Sequence, residues 1–399
     1  MALKIKSRVL LTQCGEPIEN GEFIIEGGEI VAMSPVEREV EETLDLSDYL
    51  LMPGFVNAHS HLGLTALEKK LSPAKTFARW IGDLIPLNAA LSDDERMKGI
   101  RMGADKMKSS GVTCIGDYVT DPALLNSIAG LGFRSVLFLE TIGFQEERAE
   151  VIAEEVEAII KTHASNCNLG IAPHAPYSVS AKLWQRLDQL GKKYGCLMST
   201  HLAETDEEVQ FIEKGVGPLV DLLKDRQAFD LSWQVPGTTP ARYLKSLDVL
   251  NGTVAVHCNF IDDDMDAVQA AVFCPKSTNW FGRTHILPVR KMLDAGIRVA
   301  LGTDSMASND SLNFLEEIRM ADKLLPDVSR KEILTMATRF GGEILRLPCG
   351  KMKSGQKADI IGFRVNSQDE DWHNIPFDPQ RKKVDFYMAD GKFLIPAAS

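Results

Sequence analysis

The strongest constraint in this chain is where its apolar runs stop. PGFVNAHSH delivers His59 and His61, CLMSTHLAE delivers His201, GTVAVHC delivers His257 and RVALGTD delivers Asp304, each at the carboxyl end of an aliphatic stretch. An apolar run that ends in a polar ligand reads as a strand buried on both faces whose last residues emerge at the rim of a barrel. In His59-Ser60-His61 the alternation of a strand aims both imidazoles at one face. Imidazole and carboxylate are donors that divalent transition metals prefer, so the pattern predicts a metal site at one end of the barrel.

Strand-length apolar runs recur at 54–61, 112–117, 134–141, 168–174, 196–204, 252–258, 270–275 and 298–304. Between most of them lie amphipathic stretches of helical period, such as DERMKGIRMGADKMKSS and ERAEVIAEEVEAIIKTHA. Strands alternating with helices imply a parallel sheet with crossover connections, and eight such units close into an α/β fold, the (β/α)8 TIM-type barrel. The termini read differently. KIKSRVLLT and GEFIIEGGEIVAMS near the start, and ADIIGFRV and VDFYMADGKFLI near the end, look like short strands, the last with an Asp-Gly hairpin turn. Neither end can bury a sheet face alone. The two are therefore expected to pair into a small composite β-sandwich, residues 1–53 and 345–399, around a barrel spanning 54–344. The stretch 225–250, with its Pro, Gly and Trp, reads as an extra loop with a short helix on the ligand-bearing face.

Composition narrows the partners. The 399 residues are 44% hydrophobic and 25% charged, with a formal net charge of −12, which leaves room for one large domain and a smaller one. No run of five Lys or Arg occurs, so neither nucleic acid nor an acidic membrane surface meets the basic footprint it needs. The seven cysteines are odd in number and include no Cys-x-x-Cys, which points to a reducing, cytoplasmic setting without disulfides. The VLL before Cys14 falls short of the roughly 7–15 apolar residues of a secretion signal, and no run is long enough to span a bilayer. The expected partner is a small molecule, and self-association into a homo-oligomer is left open.

Taken as a set, PGFVNAHSHL, STHLAET, VHCNF and LGTDSMASNDSL resemble the amidohydrolase superfamily, and within it the branch of adenosine-type, guanine and cytosine deaminases and triazine hydrolases. The likeness covers nearly the whole chain. It implies that His59, His61, His201 and Asp304 bind one divalent metal ion, with Zn2+ first and Fe2+ or Mn2+ able to take the same ligands. It implies that His257 contacts the water at the metal rather than the metal, and that Asp304 takes that water's proton. Two-metal members of the superfamily carry a bridging Lys or Glu in the middle strands. The fourth strand here ends GIAPHAP, which leaves Glu140 as the candidate bridge and a single metal as the expectation.

Glu204, three residues after His201, resembles the carboxyl group that carries a proton to a ring nitrogen of the substrate in this branch. Water attacks an aromatic C–NH2 carbon only if the adjacent nitrogen is protonated as aromaticity is lost, and a relaying carboxyl meets that need. The alternative is a helix cap or first-turn Glu, since ETDEEV follows. His174, in APHAPYSVS, resembles the family's substrate-contacting His, against a core histidine. Trp80, in FARWIGDLIP, sits where related nucleoside deaminases place a pocket aromatic, against a core Trp. In CPKSTNWFGR, Trp280 is set to stack on a ring and Arg283 to pair with an acidic group, against a solvated loop. Ser305 and Asn309 are expected to orient the Asp304 loop, and Asp310 to cap the helix LNFLEEIRMADKLL.

The reaction implied is metal-dependent hydrolytic deamination of an adenine nucleoside derivative, 6-aminodeoxyfutalosine first. The alternative is S-adenosylhomocysteine, methylthioadenosine or adenosine, followed by guanine deamination or triazine dechlorination. A non-catalytic metal-binding barrel comes last, because a metal store has no use for Glu204.

Overall fold

A computed structural model of the chain describes residues 2–366 and 371–393. Its strands are, in chain order, β1 (Ala2–Leu10), β2 (Ile18–Glu19), β3 (Glu22–Glu26), β4 (Glu29–Met33), β5 (Glu42–Pro53), β6 (Phe55–Ser60), β7 (Val112–Val119), β8 (Arg134–Thr141), β9 (Leu169–Pro173), β10 (Leu197–Leu202), β11 (Thr253–His257), β12 (Ala270–Phe273), β13 (Arg298–Leu301), β14 (Ile360–Arg364), β15 (Phe386–Ala389) and β16 (Lys392–Phe393). Strands β6 to β13 pair in sequential order as one eight-stranded parallel sheet, with every expected barrel strand present.

The barrel closes at two of the motifs read as metal ligands. The backbone N–H groups of Thr303 and Asp304 both donate to the His59 carbonyl, at 3.0 and 3.1 Å, which ties the end of β13 to β6. Gly302 permits this approach. A Cβ there would lie 2.8 Å from His59 Cβ and 2.9 Å from its carbonyl oxygen, so a side chain would push the two strands apart. The interior is filled by Val56, Phe138, Val254, Val256 and Val272, joined by Ile344 and Leu345 at the end of the helix Gly341–Ile344. Strands buried on both faces must be apolar throughout, which is why the barrel runs are continuous in sequence.

Outside the strands, helices begin at side chains that accept their free N–H groups. Ser92 starts Asp93–Ser109 as a capping box with Glu95, Ser180 starts Ala181–Tyr194, and Thr205 starts Asp206–Lys214. Gly195 and Gly215, at φ of 68° and 66°, end the last two. Among the described residues no helix is long and apolar enough to cross a membrane.

The terminal strands form one mixed sheet in the order β16-β15-β14-β5-β1-β3-β4, with β2 paired to β1. The sheet curls on itself. Ile30 N–H donates to Gln356 O and Ala358 N–H to Gly28 O, joining the β4 end to the approach to β14. Ile5, Phe23, Ile30, Leu51, Ile360 and Met388 are enclosed between its two sides. The composite module of both termini is thus a single sheet wrapped around its own core. Its central strand β5 has no counterpart in the sequence reading, because ETLDLSDYLLMP is acid-rich in its first half and apolar only towards its end. Parallel pairing with β1 holds it in place. Asp390 and Gly391 adopt φ of 51° and 71°, as an Asp-Gly hairpin turn requires, and the last residues of VDFYMADGKFLI lie outside the described residues. In the 225–250 stretch, helix Pro240–Ser246 follows a loop anchored by Trp233, which stacks on Phe211 at 4.7 Å.

Candidate active site

The carboxyl ends of the barrel strands bring the predicted ligands together. His59 and His61 emerge at the end of β6, with ring centroids 4.8 Å apart and the planes at 87°. His201, on β10, lies 5.0 Å from His59 and stacks on His61 at 5.5 Å. Asp304 Oδ1 is 3.6 Å from His59 Nε2 and 3.8 Å from His61 Nε2. Ligand atoms of His59, His61 and His201 lie within 4.8 Å of one another, as do those of His59, His257 and Asp304. His257 and Asp304 hold φ of 70° and 58°, a left-handed conformation uncommon for non-glycine residues and a form of backbone strain often found at functional sites.

Two observations show that these residues fit a divalent cation. Both ring nitrogens of His59 are buried without a hydrogen-bond partner, an arrangement that is costly unless something ligates them. His201 Nδ1 donates to the His174 carbonyl at 2.8 Å, which leaves the Nε2 lone pair for a ligand. Burial lowers the His59 pKa to about 3, so the imidazole is neutral and its lone pair is free. Burial alone would raise the Asp304 carboxyl, but His59, His257 and His61 around it hold it well below the usual range, so it is an anion. Its second oxygen accepts from Ser277 Oγ at 2.7 Å.

Glu204 follows β10 and is 5% exposed. Its Oε1 lies 3.7 Å from His257 Nε2. The backbone there is fixed from below: Glu208 accepts from the N–H of Ala203 and of Glu204, each at 2.9 Å, and Asn259 donates to the Glu204 carbonyl at 3.0 Å. Thr205, not Glu204, caps the following helix, so Glu204 has no capping role.

A cavity of about 510 Å³ opens in front of this cluster and is lined by His61, His174, His201, Glu204, His257 and Asp304 at one end. His174 follows β9, with Nδ1 2.7 Å from Ser178 Oγ and its ring 4.9 Å from His201. Trp80 lines the cavity, stacked on Phe77 at 5.3 Å, and its Nε1 donates to the Ala307 carbonyl at 3.1 Å. Trp280 is not on the cavity wall. Its neighbour Phe281 is, because the short helix Pro275–Trp280 turns Phe281 inward, with Trp280 packed edge-on at 4.8 Å. Arg283 does not face the cavity as a free cation either. Its Nη2 donates to Glu204 Oε1 at 2.5 Å, and its guanidinium lies 4.4 Å from the Phe281 ring centroid. Asn309 does orient the Asp304 loop, donating to Thr303 O at 2.8 Å and Glu317 Oε1 at 2.7 Å, while Ser305 and Ser308 hydroxyls meet at 2.8 Å. Asp310 pairs with Lys276 at 2.7 Å, and the helix Phe314–Leu324 is capped by Asn313 instead.

Three further residues belong to the site. Asp117, at the end of β7, accepts from Ser60 Oγ at 2.7 Å and Leu62 N–H at 2.9 Å and so fixes the His59–His61 turn; burial raises its carboxyl to about 7. Tyr118 packs its ring 4.4 Å from His59 and 5.2 Å from His201 and donates its hydroxyl to Ser199. Glu140, at the end of β8, has Oε1 4.0 Å from His61 Nδ1 and accepts from Thr120 at 2.6 Å. Burial opposes ionisation of Glu140, but His61, His174 and His201 outweigh it and lower the carboxyl to about 2. In CIGDYVT the signal for Asp117 and Tyr118 is the same as for the histidines, a polar pair at a strand's carboxyl end.

The comparisons with known proteins agree with this geometry. The chain is 27% identical to a 5'-deoxyadenosine deaminase of Methanothermobacter thermautotrophicus, over 95% of this chain and 90% of that protein. It is 28% identical to a 5-methylthioadenosine/S-adenosylhomocysteine deaminase of Carboxydothermus hydrogenoformans, over 95% and 89%. The crystal structure of Helicobacter pylori aminofutalosine deaminase in complex with methylthio-coformycin superimposes with a TM-score of 0.85 at 22% identity, covering 98% of this chain and all of that one. Residues 50–394 match the model of the amidohydrolase family, and with the histidines and the aspartate of that pattern gathered at one barrel rim, the chain is a member of the amidohydrolase family.

Proposed function

We propose that this protein hydrolytically deaminates an adenine nucleoside derivative, with water replacing the exocyclic amine and ammonia leaving. The observation that carries the reading is the position of Glu204. Its carboxyl group lines the same cavity as the histidine cluster, within 3.7 Å of His257 Nε2, and has no structural capping role. A proton-relaying carboxyl beside a metal-ligand set is what deamination of an aromatic ring needs, and a metal store does not. The relatives named above point the same way: their names share adenosine derivatives that differ at the 5′ position.

His59, His61, His201 and Asp304 would hold one divalent ion, and the mixed imidazole and carboxylate set suits Zn2+ and tolerates Fe2+ or Mn2+. When bound, the ion supplies Lewis acidity and brings the pKa of a water towards neutrality. The protein's own groups do the rest. Asp304, anionic and steadied by Ser277, accepts a proton from the attacking water. His257 Nε2 orients that water, and its position beside Glu204 Oε1 lets the carboxyl take the water's other proton and deliver it to the ring nitrogen. The proton held by Asp304 goes to the departing amine, so ammonia leaves and the ring carbon keeps the oxygen. Glu140 Oε1 lies 4.0 Å from His61 Nδ1, too far for a direct hydrogen bond, so its carboxylate acts on that ring through its charge.

Purified protein screened by liquid chromatography against adenosine, 5′-deoxyadenosine, methylthioadenosine, S-adenosylhomocysteine, 6-aminodeoxyfutalosine and guanine tests this reading. The expected result is conversion of an adenine nucleoside to its hypoxanthine counterpart with release of an equivalent of ammonia. Turnover of guanine with none of the nucleosides would replace it.

A further inference from the structure

Resting on that reading, we propose that the solvent-facing end of the main cavity is an anion subsite, in which Arg226 binds a carboxylate carried at the far end of an apolar 5′ substituent. The charges on the cavity wall are divided by position. Glu140, Glu204 and Asp304 lie at the histidine end and each already has a partner, Thr120, Arg283 and Ser277 respectively. Two arginines also line the wall, Arg96 and Arg226. Arg96 spends its donors on Asn88 Oδ1 at 2.7 Å, Asn88 O at 2.9 Å and Gly63 O at 3.4 Å. The Arg226 side chain makes no hydrogen bond or ion pair with any described residue, so its full set of donors is available.

The walls say what the carboxylate must be attached to. Helix Phe77–Ala89 starts at the Glu204 end, where Glu207 accepts from Phe77 N–H at 2.5 Å and Ala78 N–H at 2.9 Å. It presents Ile81, Leu84 and Ile85 to the cavity, and its last turn returns to the rim near His61, where Asn88 meets Arg96. Helix Pro218–Asp225 packs against it and contributes Leu222 and Leu223; a Cβ on Gly82 would lie 4.0 Å from Leu222 Cδ1. Arg226 follows as the C-cap of that second helix and is exposed, which marks a mouth rather than the buried histidine end. A ligand threaded from the histidines to Arg226 meets aliphatic side chains along the way and a planar, bidentate cation at the end. That sequence of surfaces suits an apolar arm ending in a carboxylate, and a neutral arm leaves the guanidinium without a ligand. A chain of net charge −12 repels anions in general, so one local unpaired cation has a large share in admitting this one.

The test uses the full-length protein and a pair of inosine probes that cannot turn over, each with a 5′ thioether-linked pentyl arm. One arm ends in a carboxylate and the other in its methyl amide. Calorimetry is expected to show the carboxylate binding about 10- to 100-fold tighter than the amide, the scale of one hydrogen-bonded charge pair. Arg226→Ala and Arg226→Gln should abolish the preference, and Arg226→Lys should keep part of it. Equal binding of the two probes by the wild-type protein overturns the subsite. So does a preference that survives in Arg226→Ala and disappears in Arg96→Gln. Failure of the wild-type protein to deaminate 5′-deoxyadenosine or any other nucleoside would count against the deaminase reading, while the ratio of the two probe affinities still decides the subsite.

Discussion

Arg283 and Glu204, 79 residues apart in sequence, meet as a buried ion pair, with Nη2 2.5 Å from Oε1. The same oxygen lies 3.7 Å from His257 Nε2, so Arg283 and His257 share one carboxylate atom between them. Arg283 therefore acts on the proposed proton relay and not on a distant substrate acid. Removing it should free Glu204 to rotate away from His257. Arg283→Ala is expected to lower kcat by about 10- to 100-fold, the cost of a buried charge-assisted hydrogen bond, with a smaller change in KM. Arg283→Lys should restore part of kcat. Steady-state kinetics on the best nucleoside from the screen decides this; a rise in KM with kcat intact would return Arg283 to substrate binding.

Glu204→Gln separates relay from packing. The amide keeps the shape and cannot carry a proton, so kcat should fall by about two orders of magnitude or more, with metal content unchanged. Near-normal kcat would remove Glu204 from the chemistry.

The hydroxyl of Ser277 is the sole protein donor to Asp304 Oδ2 among the described residues, at 2.7 Å. Its loss leaves the carboxylate free to turn. Ser277→Ala should cost about 10- to 100-fold in metal affinity or activity, the usual scale for groups that orient metal ligands. Competition with a chelator measures the first and initial rates the second, and Ser277→Thr should recover most of both.

How much of this was legible in the sequence depends on how far the signal reaches. Each residue of the histidine and aspartate cluster was visible because its strand is apolar to the end and then changes character within one residue, as in GTVAVHC. The barrel strands were visible for the same reason. What one strand cannot announce is which side chain from another loop will meet it. Nothing in CPKSTNWFGR says that the helix ends at Trp280 and turns Phe281 inward, or that Arg283 reaches back to Glu204. Strand β5 is hidden because its order comes from pairing with β1 and β14 rather than from its own acid-rich pattern. Asp310 and Asn313 both precede the helix in SNDSLNF; the helix begins at Phe314, so Asn313 caps it and Asp310, four residues before the first turn, pairs with Lys276.

Glu208, fully buried beneath Glu204, gives the fold a pH dependence. Burial raises its carboxyl from 4.5 to about 8, so the folded state holds a proton that the unfolded chain releases above pH 4.5. Its contribution to stability is therefore complete below about pH 4.5 and is lost as pH rises through about 8. Glu208→Gln loses one acceptor for the N–H groups of Ala203 and Glu204, a fixed cost, but never charges. The Tm difference between variant and wild type should move in favour of the variant between pH 6 and pH 9, on the order of a few degrees. A difference independent of pH would show that Glu208 is ionised in the folded protein across that range.

The most direct test of the account is metal dependence measured together with ammonia release. Protein stripped with a chelator should release no ammonia from its best nucleoside substrate, and titration with Zn2+ should restore activity in proportion to the ion bound, levelling at about one ion per chain. His201→Ala should bind less and stay inactive. Full activity in the stripped protein would contradict the proposal outright, and a plateau at about two ions, falling to one in Glu140→Gln, would replace the single-metal site with a bridged pair.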